Sequence, residues 1–353
     1  MTKCFIIAEA GVNHNGDEKL AYELIAAAAE AKADAVKFQT FKAERLVSQG
    51  TPKANYQLEQ TDKSESHFDM IQRLEISPDQ HFRLKEECEK YNIEFMSTPF
   101  DTISANFLVK ELKVKRLKIP SGEIINGPLL DHVGRLGVPI ILSSGMSSLS
   151  EIKQALKVLS HSLCHRDGPP DFKALIEKSD QRALNENISL LHCTTEYPAP
   201  FNEINLRAMD NMRKEFRLPV GYSDHSLGIH IPLAAVARGA RIIEKHFTLD
   251  HNLSGPDHAA SLEPAELIKM VQLIRDVEVA LGDGIKKTTK SEKKNLPVVR
   301  KSLVAKVDIS KGETFTAENL SIKRPGDGIS PMQYWDYLGK IAEADYKKDA
   351  LIK

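Results

Sequence analysis

The sequence has little of what secreted or membrane-bound proteins are usually built with. Its cysteines, Cys4, Cys88, Cys164 and Cys193, are widely spaced and form no C-x-x-C pair, which argues against disulfides and thiolate metal sites. No apolar run approaches the roughly 20 residues that span a bilayer, and the first one, which ends at Ala8, is too short for a signal-peptide core. We therefore expect a cytoplasmic protein that does not bind membranes.

The chain also lacks an excess of charge of one sign. It has 353 residues, of which 48 are Lys or Arg and 49 are Asp or Glu, so the net charge is -1. Binding to a polyanion depends on a basic surface. The composition therefore argues against nucleic acid as a partner, although a few lysines gathered at one site can still bind a small anion.

The sequence does contain a regular alternation of apolar, strand-length segments with amphipathic, helix-length segments. The predicted strands are Phe5–Ala8, Ala35–Phe38, Ile93–Met96, Arg116–Ile119, Pro139–Leu142, Ile188–Leu191, Pro219–Tyr222 and Arg241–Glu244. The predicted helices are Lys19–Ala33, Asp79–Tyr91, Ser104–Leu112, Leu129–Leu136, Ser150–His161, Leu206–Phe216, Ile231–Ala240 and Pro264–Leu281. This alternation predicts a parallel sheet.

Eight such units ending near Gly284 predict a closed (β/α)8 TIM barrel, for which about 250 residues is typical. An open doubly wound sheet is the alternative. It normally has a G-x-G-x-x-G turn after its first strand, whereas residues 11–16 read GVNHNG. Nearly every predicted strand also ends in polar residues, and in a barrel these converge on one mouth, where such enzymes carry their active sites.

Two histidines follow neighbouring predicted strands and are candidates for a metal site. His225 and His246 each come after an apolar run and next to a carboxylate, Asp224 or Glu244. Neutral imidazoles at adjacent strand ends can share one divalent cation, and carboxylates can orient such ligands. The alternative is that each is a hydrogen-bonded histidine of the core or rim.

Two lysines in apolar surroundings are candidates for an anion site. Lys37 and Lys118 end separate strands, and hydroxyls from Ser121, Ser143 and Ser223 can assist them. This combination suits a phosphate or carboxylate. The alternative is that each lysine only pairs with a neighbouring Glu.

The domain boundaries are predicted from composition. We assign 1–284 to the barrel, 285–295 to a lysine-rich linker and 296–353 to a small, mostly β domain. The long segment 40–76 follows a strand, so we expect it to cover the barrel mouth. The polar segment 163–187 follows a helix, so we expect a mobile excursion at the opposite end, without catalytic duty.

Ten motifs, in order along nearly the whole chain, resemble the sialic acid synthase family. They are IAEAGVNHNG (7–16), AVKFQTF (35–41), FMSTPFD (95–101), LKIPSGE (117–123), ILSSGM (141–146), LLHCTTEYPAP (190–200), GYSDHS (221–226), IIEKHFTLD (242–250), SGPDH (254–258) and IKRPGDGISP (322–331). The resemblance implies a TIM barrel followed by an antifreeze-like (SAF) domain. It also implies condensation of phosphoenolpyruvate with an acetamido sugar aldehyde, giving a nine-carbon 2-keto sugar acid and phosphate.

The resemblance also implies roles for individual residues. A divalent metal, typically Mn2+ with Mg2+ or Co2+ as alternatives, would be bound by His225 and His246. The phosphoenolpyruvate contacts would be Lys37, Lys118, Ser121, Ser143 and Ser223, and the residues that position or activate water would be Glu9 and Glu123. Tyr197 and Asp257 would contact the sugar. Gln39 and Thr195, which stands where some members have Asn, would be further substrate-binding residues. In a domain-swapped homodimer, Arg324 would bind the sugar of the partner's site.

Several functions remain open at this point. The acceptor is N-acetylmannosamine, giving N-acetylneuraminate, or 2,4-diacetamido-2,4,6-trideoxymannose, giving N,N'-diacetyllegionaminate; a 6-phosphorylated sugar is disfavoured. A barrel metallohydrolase that uses the two histidines is a different enzyme class, and a sugar-binding protein built on residues 296–353 is a non-enzymatic alternative.

Overall fold

The computed structural model describes residues 3–173 and 178–353. Contacts within the chain divide it into a first unit that extends to Gly282 and a second unit, Asp283–Lys353. In the described part of the chain, no helix has the length and apolarity to cross a membrane.

The first unit contains eight parallel strands. They are β1 (Phe5–Gly11), β2 (Ala35–Thr40), β3 (Glu94–Pro99), β4 (Leu117–Ile119), β5 (Ile140–Ser143), β6 (Ile188–His192), β7 (Val220–Asp224) and β8 (Ile242–His246). The hydrogen-bonded order is β3-β2-β1-β8-β7-β6-β5-β4, and the end strands β3 and β4 lie side by side. The predicted TIM barrel is therefore confirmed.

Helices follow the strands in the order that the alternation predicts. They are α1 (Glu18–Glu30), α2 (Ala43–Leu46), α3 (Asn55–Gln60), α4 (His67–Arg73), α5 (Pro78–Lys90), α6 (Thr102–Asn106), α7 (Gly127–Gly134), α8 (Leu149–Leu163), α9 (Lys178–Asn187), α10 (Ala208–Phe216), α11 (His230–Ala237) and α12 (Pro264–Leu281). The helix predicted over Ser104–Leu112 is divided, because α6 passes into a π-helical turn at Phe107–Glu111. Segment 40–76 is not a simple loop, since it contains α2, α3 and α4.

The barrel interior is filled in layers because successive side chains of a strand point to opposite faces. One apolar layer consists of Ile7, Ala35, Met96, Ile141, Leu191 and Ile242, all buried. The residues two positions further along each strand also point inward, and they are polar, such as Glu9 after Ile7 and Lys37 after Ala35. The apolar layer thus forms a floor beneath a polar layer at the carboxyl ends of the strands.

The segment 163–187 is more ordered than predicted. Part of it forms α9, whose Leu184 is buried in the main core. The buried carboxylate of Asp180 accepts a hydrogen bond from Arg166. The expected excursion is therefore wrong for 178–187, where packing of an amphipathic helix replaces a solvated loop; residues 174–177 lie outside the described part.

The second unit is small and has its own core. It contains α13 (Lys290–Lys293), α14 (Leu296–Val299), antiparallel strands β9 (Ser302–Ala305) and β10 (Leu320–Lys323), and α15 (Tyr334–Tyr337). Isolated antiparallel bridges join Ile309 to Tyr346 and Thr314 to Ile341. Its buried core includes Leu303, Phe315, Leu320 and Ile352.

Candidate active site

The barrel mouth holds a cavity of about 250 Å3 at the carboxyl ends of the strands. It brings together twelve of the residues predicted from the sequence: Glu9, Lys37, Gln39, Lys118, Ser121, Ser143, Thr195, Tyr197, Ser223, His225, His246 and Asp257. They come from seven strands or the loops that follow them, so they meet only because the sheet closes. This convergence was the expectation from the polar strand ends.

Two predicted residues lie elsewhere. Glu123 does not line the cavity, and its Oε2 accepts a hydrogen bond from Asn126 Nδ2 at 2.6 Å. Arg324 belongs to the second unit, where its Nε donates to the carbonyl of Val299 at 3.0 Å. The roles assigned to both residues stay predictions.

The polar layer is a network of two lysines and two glutamates, all buried. Lys37 Nζ lies 2.6 Å from Glu9 Oε2 and 3.5 Å from Glu244 Oε2, and Lys118 Nζ lies 3.3 Å from Glu244 Oε1. Ser223 Oγ also donates to Glu244 Oε1 at 2.8 Å. Both lysines therefore do pair with glutamates, and the same ammonium groups line the cavity.

Burial and neighbouring charge separate the pKa values of the two carboxyls. Burial raises the pKa of Glu9 to about 7, against the opposing effect of Lys37 and with support from the negative charge of Glu244. Burial also acts to raise the pKa of Glu244, but Lys118 and Lys37 outweigh it and lower the value to about 2. Glu9 is therefore the carboxyl that can exchange a proton near neutral pH, and its protonation would leave the network with net positive charge.

The two histidines lie beside this network, with His225 directly after β7 and His246 at the end of the adjacent strand β8. Their ring centroids are 5.6 Å apart, and Tyr197 stacks on His225 at 4.2 Å. Burial lowers the pKa of His225 to about 4 and that of His246 well below its usual range, so both rings are neutral at pH 7. Neutral imidazole is the form that binds metal.

The ring nitrogens fit a metal site. His225 Nδ1 donates to the carbonyl of Thr194 at 2.5 Å, which leaves the lone pair of Nε2 to accept from the Tyr197 hydroxyl, 3.2 Å away, or to bind a metal. His246 Nδ1 is buried and has no hydrogen-bond partner among the described residues, and Asp257 Oδ2 lies 3.8 Å from it. No cluster of three or more His, Cys, Asp or Glu suited to a metal occurs in residues 3–173 and 178–353. A cation here would have two histidine ligands and would keep positions open for substrate oxygens.

A buried ion pair lies behind the histidines, on the outward faces of the same strands. Asp224 and Lys245 are directly opposite each other in the β7–β8 register, and both side chains are fully buried. Lys245 Nζ lies 2.6 Å from Asp224 Oδ2. Each member of the pair directly precedes one histidine in sequence, so the pair fixes how β7 and β8 align.

Part of the cavity lining is apolar rather than polar. We call the following residues the apolar wall: Phe41, Leu46, Met70, Ile71, Leu74 and Phe100. They pack on one another in a cluster separate from the main core, with the rings of Phe41 and Phe100 edge to face at 5.8 Å. Most of them belong to segment 40–76, which confirms that this segment lines the barrel mouth.

Besides the apolar wall, three lining residues that contact the predicted lysines or Ser121 were not assigned to the site from the sequence. Glu244 was considered only as a residue that orients a histidine, yet it contacts both lysines. Thr98 Oγ1 accepts a hydrogen bond from Lys37 Nζ at 3.0 Å, and Cys193 Sγ lies 3.1 Å from Ser121 Oγ. Each of the three lies two positions after a floor residue of its own chain segment, namely Ile242, Met96 or Leu191. All three positions can therefore be identified once the floor is known.

Comparison with known proteins places the chain among enzymes of sugar-acid synthesis. The NeuB family matches residues 24–286 and the SAF domain matches residues 300–353. The chain is 54% identical over 353 residues to N,N'-diacetyllegionaminic acid synthase of Campylobacter jejuni, covering all of both chains. It is 46% identical to the synthase of the same name from Legionella pneumophila, covering 95% of this chain and 89% of that protein. The structure of an N-acetylneuraminic acid synthetase from Leptospira borgpetersenii matches with a TM-score of 0.69 and 37% identity, covering 83% and 90% of the two chains.

Proposed function

The chain belongs to the NeuB family and carries a SAF domain, and from this we propose that it condenses phosphoenolpyruvate with 2,4-diacetamido-2,4,6-trideoxymannose to give N,N'-diacetyllegionaminate and phosphate. The observation that carries the choice of sugar is the 54% identity, over the full length of both chains, to a synthase of that product. N-acetylmannosamine, which would give N-acetylneuraminate, is the second candidate, because the similar Leptospira structure is named for that product.

The polar layer supports this proposal at the phosphoenolpyruvate end. Lys37 and Lys118 provide two ammonium groups, and the buried hydroxyl of Ser143 has no hydrogen-bond partner among the described residues. Charge-assisted hydrogen bonds from such groups suit a phosphate and a carboxylate. When Glu9 is protonated, the site can accept the anion without a second carboxylate charge next to it.

The two histidines support a divalent ion at the acceptor end, with Mn2+ as the proposed ion and Mg2+ or Co2+ as alternatives. His225 Nε2 and the unpartnered His246 Nδ1 are the atoms suited to hold it. A bound ion would act as a Lewis acid on the sugar aldehyde.

The protein's own residues then position the reactants and move protons. Carbon 3 of phosphoenolpyruvate forms a bond to the aldehyde carbon, water adds to carbon 2, and phosphate leaves as the carbon–oxygen bond breaks. Glu9, with a pKa of about 7, is suited to give its proton to the oxygen of the former aldehyde and then, as a carboxylate, to take a proton from that water. Tyr197 and Asp257 line the cavity next to the histidines and are proposed to contact the sugar. The proposal includes a homodimer in which Arg324 of each chain serves the partner's site.

The test is to incubate the protein with phosphoenolpyruvate and Mn2+ and to supply each sugar in a separate reaction. We expect phosphate release and a product of the mass of N,N'-diacetyllegionaminate, with faster turnover of the diacetamido sugar. Lys118→Met should abolish phosphate release, whereas Lys115→Met, at an exposed position three residues earlier, should retain it. If neither sugar leads to phosphate release, the proposal is refuted. Turnover of a sugar without phosphoenolpyruvate would favour the hydrolase alternative.

A further inference from the structure

The two kinds of lining lie over different strands of the barrel. The histidines end β7 and β8, and the lysines lie on β2 and β4, within the polar layer. The apolar wall comes from the chain that follows β2 and from Phe100, directly after β3. The reacting groups of both substrates are polar and require the polar layer. The unreactive end of the acceptor sugar is therefore the part left to face the wall.

The apolar wall is held in place before any substrate arrives. Glu75 Oε1 accepts a hydrogen bond from the backbone of Ala43 at 2.7 Å, which fixes the start of α2, and Lys42 pairs with the same carboxylate. The ammonium of buried Lys53 donates to the Asp62 carbonyl at 2.8 Å, which ties the chain between α2 and α4. A surface fixed in this way can discriminate between ligands, because its side chains and loops lose little conformational entropy on binding.

Two of the three candidate sugars carry phosphate or hydroxyl groups at the end that would face the wall. These groups do not match an apolar surface. Among the described residues that line the cavity, the lysines are Lys37 and Lys118, and arginine is absent. A 6-phosphate at the wall would therefore find no cation there among the described residues of its own chain that line the cavity. The 4- and 6-hydroxyls of N-acetylmannosamine would lose water without a replacement hydrogen bond from the six apolar side chains of the wall, which costs free energy.

The third candidate matches the wall. In 2,4-diacetamido-2,4,6-trideoxymannose, carbon 6 is a methyl group, and the acetamido group on carbon 4 ends in a methyl group. We propose that the apolar wall is the specificity subsite for these two methyl groups, so that it selects a 6-deoxy, 4-acetamido acceptor against hydroxylated and phosphorylated sugars. This inference rests on the proposed synthase function and adds the residues that choose its substrate.

Ile71 and Leu46 are the residues to change, because they line the cavity and are only partly buried, whereas Met70 and Leu74 are fully packed. The experiment measures kcat/KM for the three sugars at saturating phosphoenolpyruvate, for wild type, Ile71→Ser, Leu46→Ser and the conservative Ile71→Leu. Ile268→Ser, on α12 and outside the cavity lining, is the matched control. Thermal unfolding of each variant identifies any that does not fold.

We expect wild type to prefer the diacetamido sugar and to leave the 6-phosphorylated sugar unused. Each serine variant should lose roughly tenfold or more in kcat/KM for the diacetamido sugar, the scale for apolar contacts in a pocket. The loss for N-acetylmannosamine should be smaller, and the KM for phosphoenolpyruvate should be unchanged. Ile71→Leu and Ile268→Ser should keep the wild-type preference.

Three outcomes would overturn the inference, and they separate it from the proposed function. If folded serine variants lose activity equally toward both neutral sugars, the wall does not discriminate although the synthase function stands. If wild type prefers N-acetylmannosamine or uses the 6-phosphorylated sugar, synthase activity stands, but the proposed choice of sugar and the proposed role of the wall both fail. If wild type releases phosphate with none of the sugars, the proposed function fails and the inference fails with it.

Discussion

At the scale of single residues, the site depends on buried groups whose charges are set by their neighbours. Glu244 lies within 3.5 Å of both lysines and keeps its negative charge, while Glu9 contacts only Lys37 and titrates near neutrality. Two carboxyls that share one lysine thereby acquire different tasks. Glu244 holds the lysines in place, and Glu9 is available for proton transfer.

His246 provides the residue-scale prediction. Because its Nδ1 has no hydrogen-bond partner among the described residues, His246→Ala should weaken Mn2+ binding about a hundredfold or more, beyond the effect of losing a group that only orients a ligand. Electron paramagnetic resonance of free Mn2+ gives the affinity without requiring turnover. His230→Ala, at an exposed position at the start of α11, is the control and should bind Mn2+ as wild type does. An unchanged affinity in His246→Ala would contradict the ligand assignment.

At the scale of secondary-structure elements, the packing of β7 against its neighbours leaves no room for a side chain at Gly221. A Cβ at this position would meet the carbonyl oxygen of Ile242 on β8 and would lie 2.7 Å from Leu191 Cδ2 on β6. This packing sets the position of Ser223, on the same strand, and of His225, directly after it.

We therefore predict that Gly221→Ala lowers the free energy of unfolding by about 1–3 kcal/mol and reduces kcat as well. The matched control is Gly127→Ala at the start of α7, where a Cβ would meet no atom within 4 Å. Denaturant unfolding and steady-state kinetics measure the two effects. A Gly221→Ala protein as stable as wild type would show that β7 can move outward without cost.

The element pattern could be predicted from the sequence because strand and helix periods are local properties. All eight strands occur within a few residues of their predicted bounds. The π-helical turn at Phe107–Glu111 could not be predicted, because it differs from an α-helix only in its hydrogen-bond spacing. Helix α9 was missed because its sequence is strongly polar, and Leu184 is the buried apolar residue among its described side chains.

Site residues could be predicted where a polar side chain falls inside an apolar strand segment. Residues whose role depends on contacts between distant strands were missed. Lys37, Lys118, His225 and His246 stand out as polar residues in apolar surroundings. The contact of Glu244 with both lysines depends on the closed barrel, which brings β2, β4 and β8 around one space. The apolar wall was missed because its residues look like ordinary core.

At the scale of the whole molecule, several neutral histidines make the barrel unit sensitive to acid. Burial lowers the pKa values of His14, His81 and His258 to about 4. An unfolded histidine titrates near 6.5. Between pH 6.5 and 4 the unfolded chain therefore holds more protons at these positions, so acidification favours unfolding by about 1.4 kcal/mol per pH unit for each fully shifted histidine. Glu9 and Asp257, whose pKa values burial raises to about 7 and about 6, act in the opposite direction but are outnumbered.

We predict that the free energy of unfolding falls as the pH is lowered from 7 to 5, and that His81→Gln makes this dependence shallower. His81 suits the test because Ser77 and Thr40 contact its ring nitrogens and no cavity-lining group does. Urea unfolding at a series of pH values gives the slope, with His165→Gln at an exposed position as the control. An equal slope in wild type and His81→Gln would contradict the assignment of a buried neutral ring.

The buried pair of Asp224 and Lys245 has a consequence for how the barrel forms. If β8 paired with β7 one residue out of step, the inward and outward faces of the strand would exchange. Lys245 would then enter the cavity, His246 would point into the helices, and Asp224 would remain buried without its counter-charge, a severe penalty. Misaligned folding is thus discouraged at the two strands that carry the histidines, so the pair protects the geometry of the site before any substrate is present.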